Sequence, residues 1–278
     1  MALNLDIIGK TMDPAAHTYD QDRVILYALG IGAGTEELEF VYEKGLKVFP
    51  TFAVTPYFPA FIPFAREAGL NMHAVLHGGH TVILHKPIPP SGTLTSLTRC
   101  EAIYDKADKG ALIHLHIQTR NPEGGLIFEN RAVLVDRSAA RFGGDRGPRS
   151  VAFSPPGGTP PDFQVTYTTS PEQAALYRLS GDKNPLHIDP HFARKAGFDR
   201  PILHGLCTFG MAGRAVLHRL CGSDPNRFKA LSARFTDVVF PGETLITEGW
   251  KRDDHSYVIQ TRTPEGRVVM ADGLAETA

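Results

Sequence analysis

The chain is written twice. "PPSGTLTS" (Pro89–Ser96) returns as "VFPGETLIT" (Val239–Thr247), and "IQTRNPEGGLIFENRAVL" (Ile117–Leu134) returns as "IQTRTPEGRVVMADGLAE" (Ile259–Glu276). "FAREAGLNMHAVLHG" (Phe64–Gly78) returns as "FARKAGFDRPILHG" (Phe192–Gly205), and "YALGIG" (Tyr27–Gly32) pairs with "YRLSGD" (Tyr177–Asp182). Chance gives one such match, not four in the same order, so the chain reads as two homologous halves of similar fold. The stretch "RSAARFGGDRGPRSVAFSPPGGTPPDF" (Arg137–Phe163) has no hydrophobic period and is rich in Gly, Pro, Ser and Arg, the composition of a connection. The expected division is 1–140, a linker over 141–163, and 164–278.

Each half carries a helical signal followed by strands. In the second half, "DPHFARKAGF" predicts a short helix with Asp189 at the N-cap, Pro190 in the first turn and Gly197 past the end. "HGLCTFGMAGRAVLHRL" (His204–Leu220) places Leu206, Phe209, Met211, Val216, Leu217 and Leu220 with helical spacing, so a longer buried helix begins just after Gly205. Gly210 and Gly213 lower its propensity but allow a neighbour to approach closely. "ALSARFTDVVF", "ETLITEGWKRDDHSYVIQTRT" and "RVVMADGLAET" alternate in polarity around "PGE" and "PEG" turns and predict antiparallel strands. A helix followed by a strand meander, twice, predicts an α+β protein with an antiparallel sheet around a central helix in each half, the sheets able to join edge to edge.

Composition excludes several classes. A net charge of −1 over 278 residues gives no field that draws the protein to nucleic acid or an anionic membrane. No apolar run approaches the ~20 residues that span a bilayer. The N-terminus "MALNLDIIGK" has no secretory pattern, and "ADGLAETA" is not a peroxisomal tag. With only Cys100, Cys207 and Cys221, lacking framework spacing, the expected setting is cytoplasmic and the cysteines read as small buried apolar residues. "GIGAGT" (Gly30–Thr35) lacks the third glycine of a dinucleotide fingerprint.

"GDKNPLHIDPH" (Gly181–His191) is where chemistry concentrates. Three readings compete. The segment is a plain turn, because Gly-Asp and Asn-Pro favour turns and Asp and Asn cap backbone amides. It is a metal site, with His187, Asp189 and His191 at alternate positions and Asp182 and His204 available, although the spacing matches no familiar zinc pattern. Or it is an acid–base site, in which Asp182 and His187 share one water or one substrate proton. The third reading gains from "HG" at His204–Gly205, where a helix start presents an unpaired Gly205 amide suited to an oxyanion.

These residues resemble a known family. Tyr177, Gly181, Asp182, Asn184, Pro185 and His187, followed by "PILHGLCTFG", are similar to the signature of the (R)-specific enoyl-CoA hydratases, the hydratase 2 or MaoC-like group. "YALGIGA", "FPTF" (Phe49–Phe52), "VLHGGHTVILHKPIPPSG" and "YDKADKG" resemble the first repeat of its two-repeat, eukaryotic-type form. The likeness covers nearly the whole chain except the linker. It implies a double hot-dog fold and reversible hydration of trans-2-enoyl-CoA to (3R)-3-hydroxyacyl-CoA, with a dehydratase for a branched or steroid side-chain acyl-CoA as the alternative. It implies catalytic roles for Asp182, His187 and the Gly205 amide, and acyl-CoA contacts for Asn184, His77, Gly78, Lys106 and Phe235. It further implies a homodimer that acts on acyl-CoA, without metal or other cofactor, nucleic acid or membrane partner. "LHGGH" departs from the family's "HGEQ" at Gly79 and His80. If Tyr27 aligns with Tyr177, Gly32 stands where Asp182 does and Glu37 where His187 does, so one active site per chain is expected, in the second half. The aromatic stretch Pro50–Phe64 is expected to line an acyl channel or to pack the core.

Overall fold

A computed structural model describes residues 3–149 and 151–278. The first half contains β1 (Ala15–Tyr19), α1 (Gln21–Gly30), α2 (Leu38–Val41), α3 (Tyr57–Glu67), β2 (Val75–Leu84), β3 (Gly92–Asp105), β4 (Ala111–Arg120) and β5 (Leu126–Asp136). The second repeats this order: β6 (Phe163–Thr168), α4 (Gln173–Tyr177), α5 (Pro190–Lys195), α6 (Gly205–Cys221), β7 (Phe228–Phe235), β8 (Thr244–Lys251), β9 (Ser256–Arg262) and β10 (Val268–Thr277). Between Asp136 and Phe163 the described residues form neither helix nor strand.

The strands alternate as a half-buried sheet requires. In β4, Ala111, Ile113, Leu115, Ile117 and Thr119 are buried, while Leu112, His114, His116, Gln118 and Arg120 face outward. The ten strands form one antiparallel sheet in the order β1-β3-β4-β5-β2-β7-β10-β9-β8-β6. The order is palindromic in the repeat: each half contributes the same five-strand arrangement, and β2 joins β7 edge to edge from Gly79↔Arg234 to Ile83↔Ala230. One hydrophobic core runs through both halves, from Ile7 to Ala275.

α6 occupies the expected position, one residue longer than predicted at its end, and packs on β6, β7 and β10. Its glycines explain how the halves meet. A side chain at 210 collides with Ile31 and Tyr27, and one at 213 with Thr51, so the first half lies directly against the α6 backbone. α3 packs on β1 and β3. Phe52 and Phe64 belong to the core, whereas Tyr57, Phe58, Phe61 and Ile62 line a cavity, so the aromatic stretch serves both expected purposes.

One sequence match is not a structural equivalence. Phe64 lies in α3 and Gly78 in β2, whereas Phe192 lies in α5 and Gly205 opens α6. The topological partner of α6 is α3, and that of β2 is β7. The shared letters place His77-Gly78 on a strand and His204-Gly205 at a helix start, because local likeness does not override the pairing of β2 with β5 and β7.

Candidate active site

Each polar residue of the crowded loop has a separate task. The Asp182 side chain accepts from the Asn184 amide at 3.0 Å, and the Asn184 side chain accepts from the Leu186 amide at 3.0 Å, giving two nested turns. Asp189 caps α5 by accepting from the His191 and Phe192 amides at 2.8 and 3.3 Å. His191 points to solvent. The turn reading is therefore correct for the backbone, and it leaves one oxygen of Asp182 free.

That oxygen faces His187. Asp182 Oδ2 and His187 Nε2 are 3.8 Å apart, too far for a hydrogen bond and suitable for one bridging water. His187 Nδ1 donates to the Ile202 carbonyl at 2.9 Å, so in the neutral ring Nε2 carries the lone pair. Burial pushes Asp182 up, against the opposing pull of His187, and pushes His187 down, against the pull of Asp182. Both groups lose ease of charging, which brings their proton affinities together.

His204 connects the parts. Its Nε2 donates to the Asp182 carbonyl at 3.1 Å, and its ring stacks on His187 with centroids 3.6 Å apart and planes 26° apart. Asp182, His187 and His204 form a compact group of potential metal ligands. The stacking argues against that use, because near-parallel rings aim their in-plane lone pairs along parallel lines rather than at one ion.

Gly205 is the first residue of α6. The amides of Cys207 and Thr208 donate to the His204 carbonyl, while those of Gly205 and Leu206 have no acceptor among the described residues. Both residues line the same cavity as Asp182 and His187, which has a volume of about 680 Å³. Its wall is built by both halves: Tyr57, Phe58, Phe61 and His77 from the first, Leu203, Phe235 and Val239 from the second.

Of the anticipated contact residues, Asn184, His77 and Phe235 line the cavity. Gly78 does not. It forms the bulge where β2 slips one residue against β5, and a Cβ there would press on Val135 and Val133 at 3.1 and 3.3 Å. Lys106 is also elsewhere: it sits at the β3–β4 turn, its ammonium bonded to the Arg146 carbonyl and 5.4 Å from the Tyr104 ring. A lysine in a turn follows the connection it belongs to, and this connection packs on residues after β5. Sequence reasoning did not anticipate the stacked position of His204 or the cavity contacts of His73, Arg137 and Phe198; single positions without periodicity carry no such signal. The three cysteines are free and buried, as expected.

The comparisons agree with this architecture. Residues 152–272 match the MaoC like domain, and residues 17–138 match the MFE-2 hydratase 2 N-terminal domain. The chain belongs to the MaoC-like, hydratase 2 family. It is 41% identical over 288 residues to the 3-hydroxyacyl-thioester dehydratase Y of Mycobacterium tuberculosis, covering 99% of each chain. It is 37% identical to the probable enoyl-CoA hydratase 2 of Dictyostelium discoideum, over 97% of this chain and 94% of that one. Among solved structures, the MaoC-like dehydratase from Phytophthora capsici superposes with a TM-score of 0.88 at 33% identity, over 99% of this chain and 98% of that one. The hot-dog expectation holds, and the two sheets join edge to edge through β2 and β7, as the sequence allowed.

Proposed function

We propose that this protein catalyses the reversible hydration of trans-2-enoyl-CoA to (3R)-3-hydroxyacyl-CoA. The observation that carries the proposal is the facing pair of acceptors, Asp182 Oδ2 and His187 Nε2, in one cavity with the open Gly205 amide. A water between two acceptors donates a hydrogen to each and turns an oxygen lone pair toward a third direction. The Gly205 amide, at the positive end of α6, hydrogen-bonds the thioester oxygen and draws electron density from C3. The water oxygen adds to C3 while one of its hydrogens passes to the pair; its other hydrogen stays on the new hydroxyl. A proton from the pair then reaches C2 as the enolate collapses, so one water is added in all. Asn184 shapes the turn that holds Asp182, and His77 and Phe235 form the wall against the acyl thioester.

The reaction as drawn needs no metal and no cofactor beyond the coenzyme A of its substrate. Undiminished turnover after chelation and metal analysis tests this. Among the described residues no helix is long and apolar enough to cross a membrane. The working form proposed is a homodimer, on the family likeness, in a cytoplasmic setting, on the cysteine usage; sedimentation and cell fractionation measure these. The deciding experiment follows loss of enoyl absorbance with crotonyl-, decenoyl- and branched enoyl-CoA and determines product configuration. An (S)-product, or no turnover of any enoyl-CoA, sinks the proposal.

A further inference from the structure

His80 is one of the two positions where the sequence departs from the family pattern, and the proposed reaction gives it no task. It is 1% exposed, on β2. Its surroundings fix its chemistry. Asn130 on β5, fully buried, donates through Nδ2 to the Ala53 carbonyl at 3.0 Å. A carbonyl only accepts, so the orientation of the amide is set and Oδ1 is left to accept. Oδ1 lies 2.8 Å from His80 Nε2, which must therefore carry the hydrogen. Burial holds His80 down to about 4 and His77 well below its ordinary value, so both rings are neutral near pH 7. His80 Nδ1 is then a bare lone pair, and it lies 3.1 Å from His77 Nε2, which must donate.

The chain continues by packing. The His77 ring stands edge-on to Phe235, centroids 5.4 Å apart at 88°. Phe235 lies against Gly205, at 3.4 Å from where a Cβ would stand. Tyr57 and Phe209 pack edge-on against His80, each with centroids 5.6 Å away. A one-directional row thus runs from Ala53 through Asn130 and His80 to His77, and on through Phe235 to the open amide.

We propose that Asn130 and His80 are positioning residues: they lock His77 in one tautomer and ring orientation, and through Phe235 they set the seat of the thioester oxygen at Gly205. The silent half thereby holds part of the active site rigid from outside the loop that does the chemistry. The inference rests on the hydration reading for its kinetic arm only.

The first arm needs no substrate. Long-range 15N–1H spectra of the native protein should show His80 as the Nε2–H tautomer, and Asn130→Leu should abolish that preference. An Nδ1–H tautomer at His80 overturns the proposal. The second arm is a cycle of His80→Phe, His77→Phe and the double variant, with thermal melting as the folding check. His80→Phe keeps the ring and loses both hydrogen bonds; kcat should fall about 10-fold, more than KM rises. The double variant should be no slower than His77→Phe alone, because His80 acts through His77. His80→Gln, which still accepts and donates, should stay within about threefold of native. Additive losses, or equal losses in His80→Gln and His80→Phe, overturn the inference. A native protein inactive on every enoyl-CoA fails the hydration reading instead, while the tautomer spectra still decide this one.

Discussion

Two loops at corresponding places in the repeat have opposite fates. Gly181–His187 opens onto a cavity of about 680 Å³ and keeps an oxygen and a nitrogen unpaired and facing each other. Its counterpart, Gly32 to Glu37, lies against α6. A Cβ at Gly32 would touch Arg214 and Met211 at 3.5 and 3.6 Å. Glu37 receives two hydrogen bonds from the Arg214 guanidinium and one from His218, whose other nitrogen meets Ser223 Oγ at 2.8 Å. The guanidinium also lies over the Tyr167 ring, 4.2 Å from its centre. The first loop keeps an Asp182 oxygen and a His187 nitrogen facing each other, ready for a water; the second pairs its Glu37 with Arg214 and His218. Where the second loop has no Asp/His pair, Arg214 of α6 forms a bidentate ion pair with Glu37, which ties the halves together.

The largest effect expected from breaking this contrast is on the open side. Asp182→Asn or His187→Gln should lower hydration by roughly 10²–10⁴ with folding unchanged. Near-native turnover in both variants means the pair is not the acid–base machinery. Next comes Gly205→Pro, which suits the first turn of a helix and removes the amide; His204, at φ −62° and ψ 133°, already has the conformation that precedes proline. Turnover should fall about 10²–10³ with the substrate still bound, as calorimetry with a saturated acyl-CoA checks.

The pH profile sharpens the comparison further. The water-holding state needs a carboxylate and a neutral imidazole. With Asp182 raised and His187 lowered, activity should be full at neutral pH and lost as pH falls through a single limb. That limb belongs to the coupled pair rather than to either residue. Activity that rises as pH falls contradicts the required protonation states.

The smallest effect on catalysis belongs to the filled side. Burial raises Glu37, but its bonds to His218 and Arg214 outweigh this and hold it at about 2. A depressed carboxyl stabilises the fold above its unfolded value of ~4.3, and that contribution is lost as pH falls toward 2. Glu37→Gln should lower the melting temperature at pH 7, narrow its difference from native in acid, and leave kcat unchanged. A kcat loss like that of Asp182→Asn means the second loop is not silent.

Much of this was legible in the sequence because it depends on local chemistry. The cap at Asp189, the start of α6 at Gly205 and the outward strands around "PEG" follow from propensities within a few residues. The Asp182–His187 spacing places both side chains on one side of a short turn, so the candidate pair could be named. Gly78 and Lys106 lie outside the cavity lining because a β-bulge and the β3–β4 turn, rather than their sequence neighbours, decide where they sit. The partners of Glu37 lie 177 and 181 residues away, and Asn130 lies 50 residues from His80. No local pattern marks them.

The sequence by itself determined the duplication, the order of helix and strands in each half, and the one loop that retains an Asp and a His, because repetition and turn chemistry are written in adjacent letters. Only the tertiary structure decided that the two sheets become one through β2 and β7, and that the Glu37 loop is closed by Arg214 while the Asp182 loop opens onto the cavity. It also decided that Asn130 and His80 stand in a hydrogen-bonded row behind His77, which lines the cavity. Those outcomes depend on which surfaces meet once two similar halves bury a common core, and surface complementarity between distant segments is a property of the packed chain.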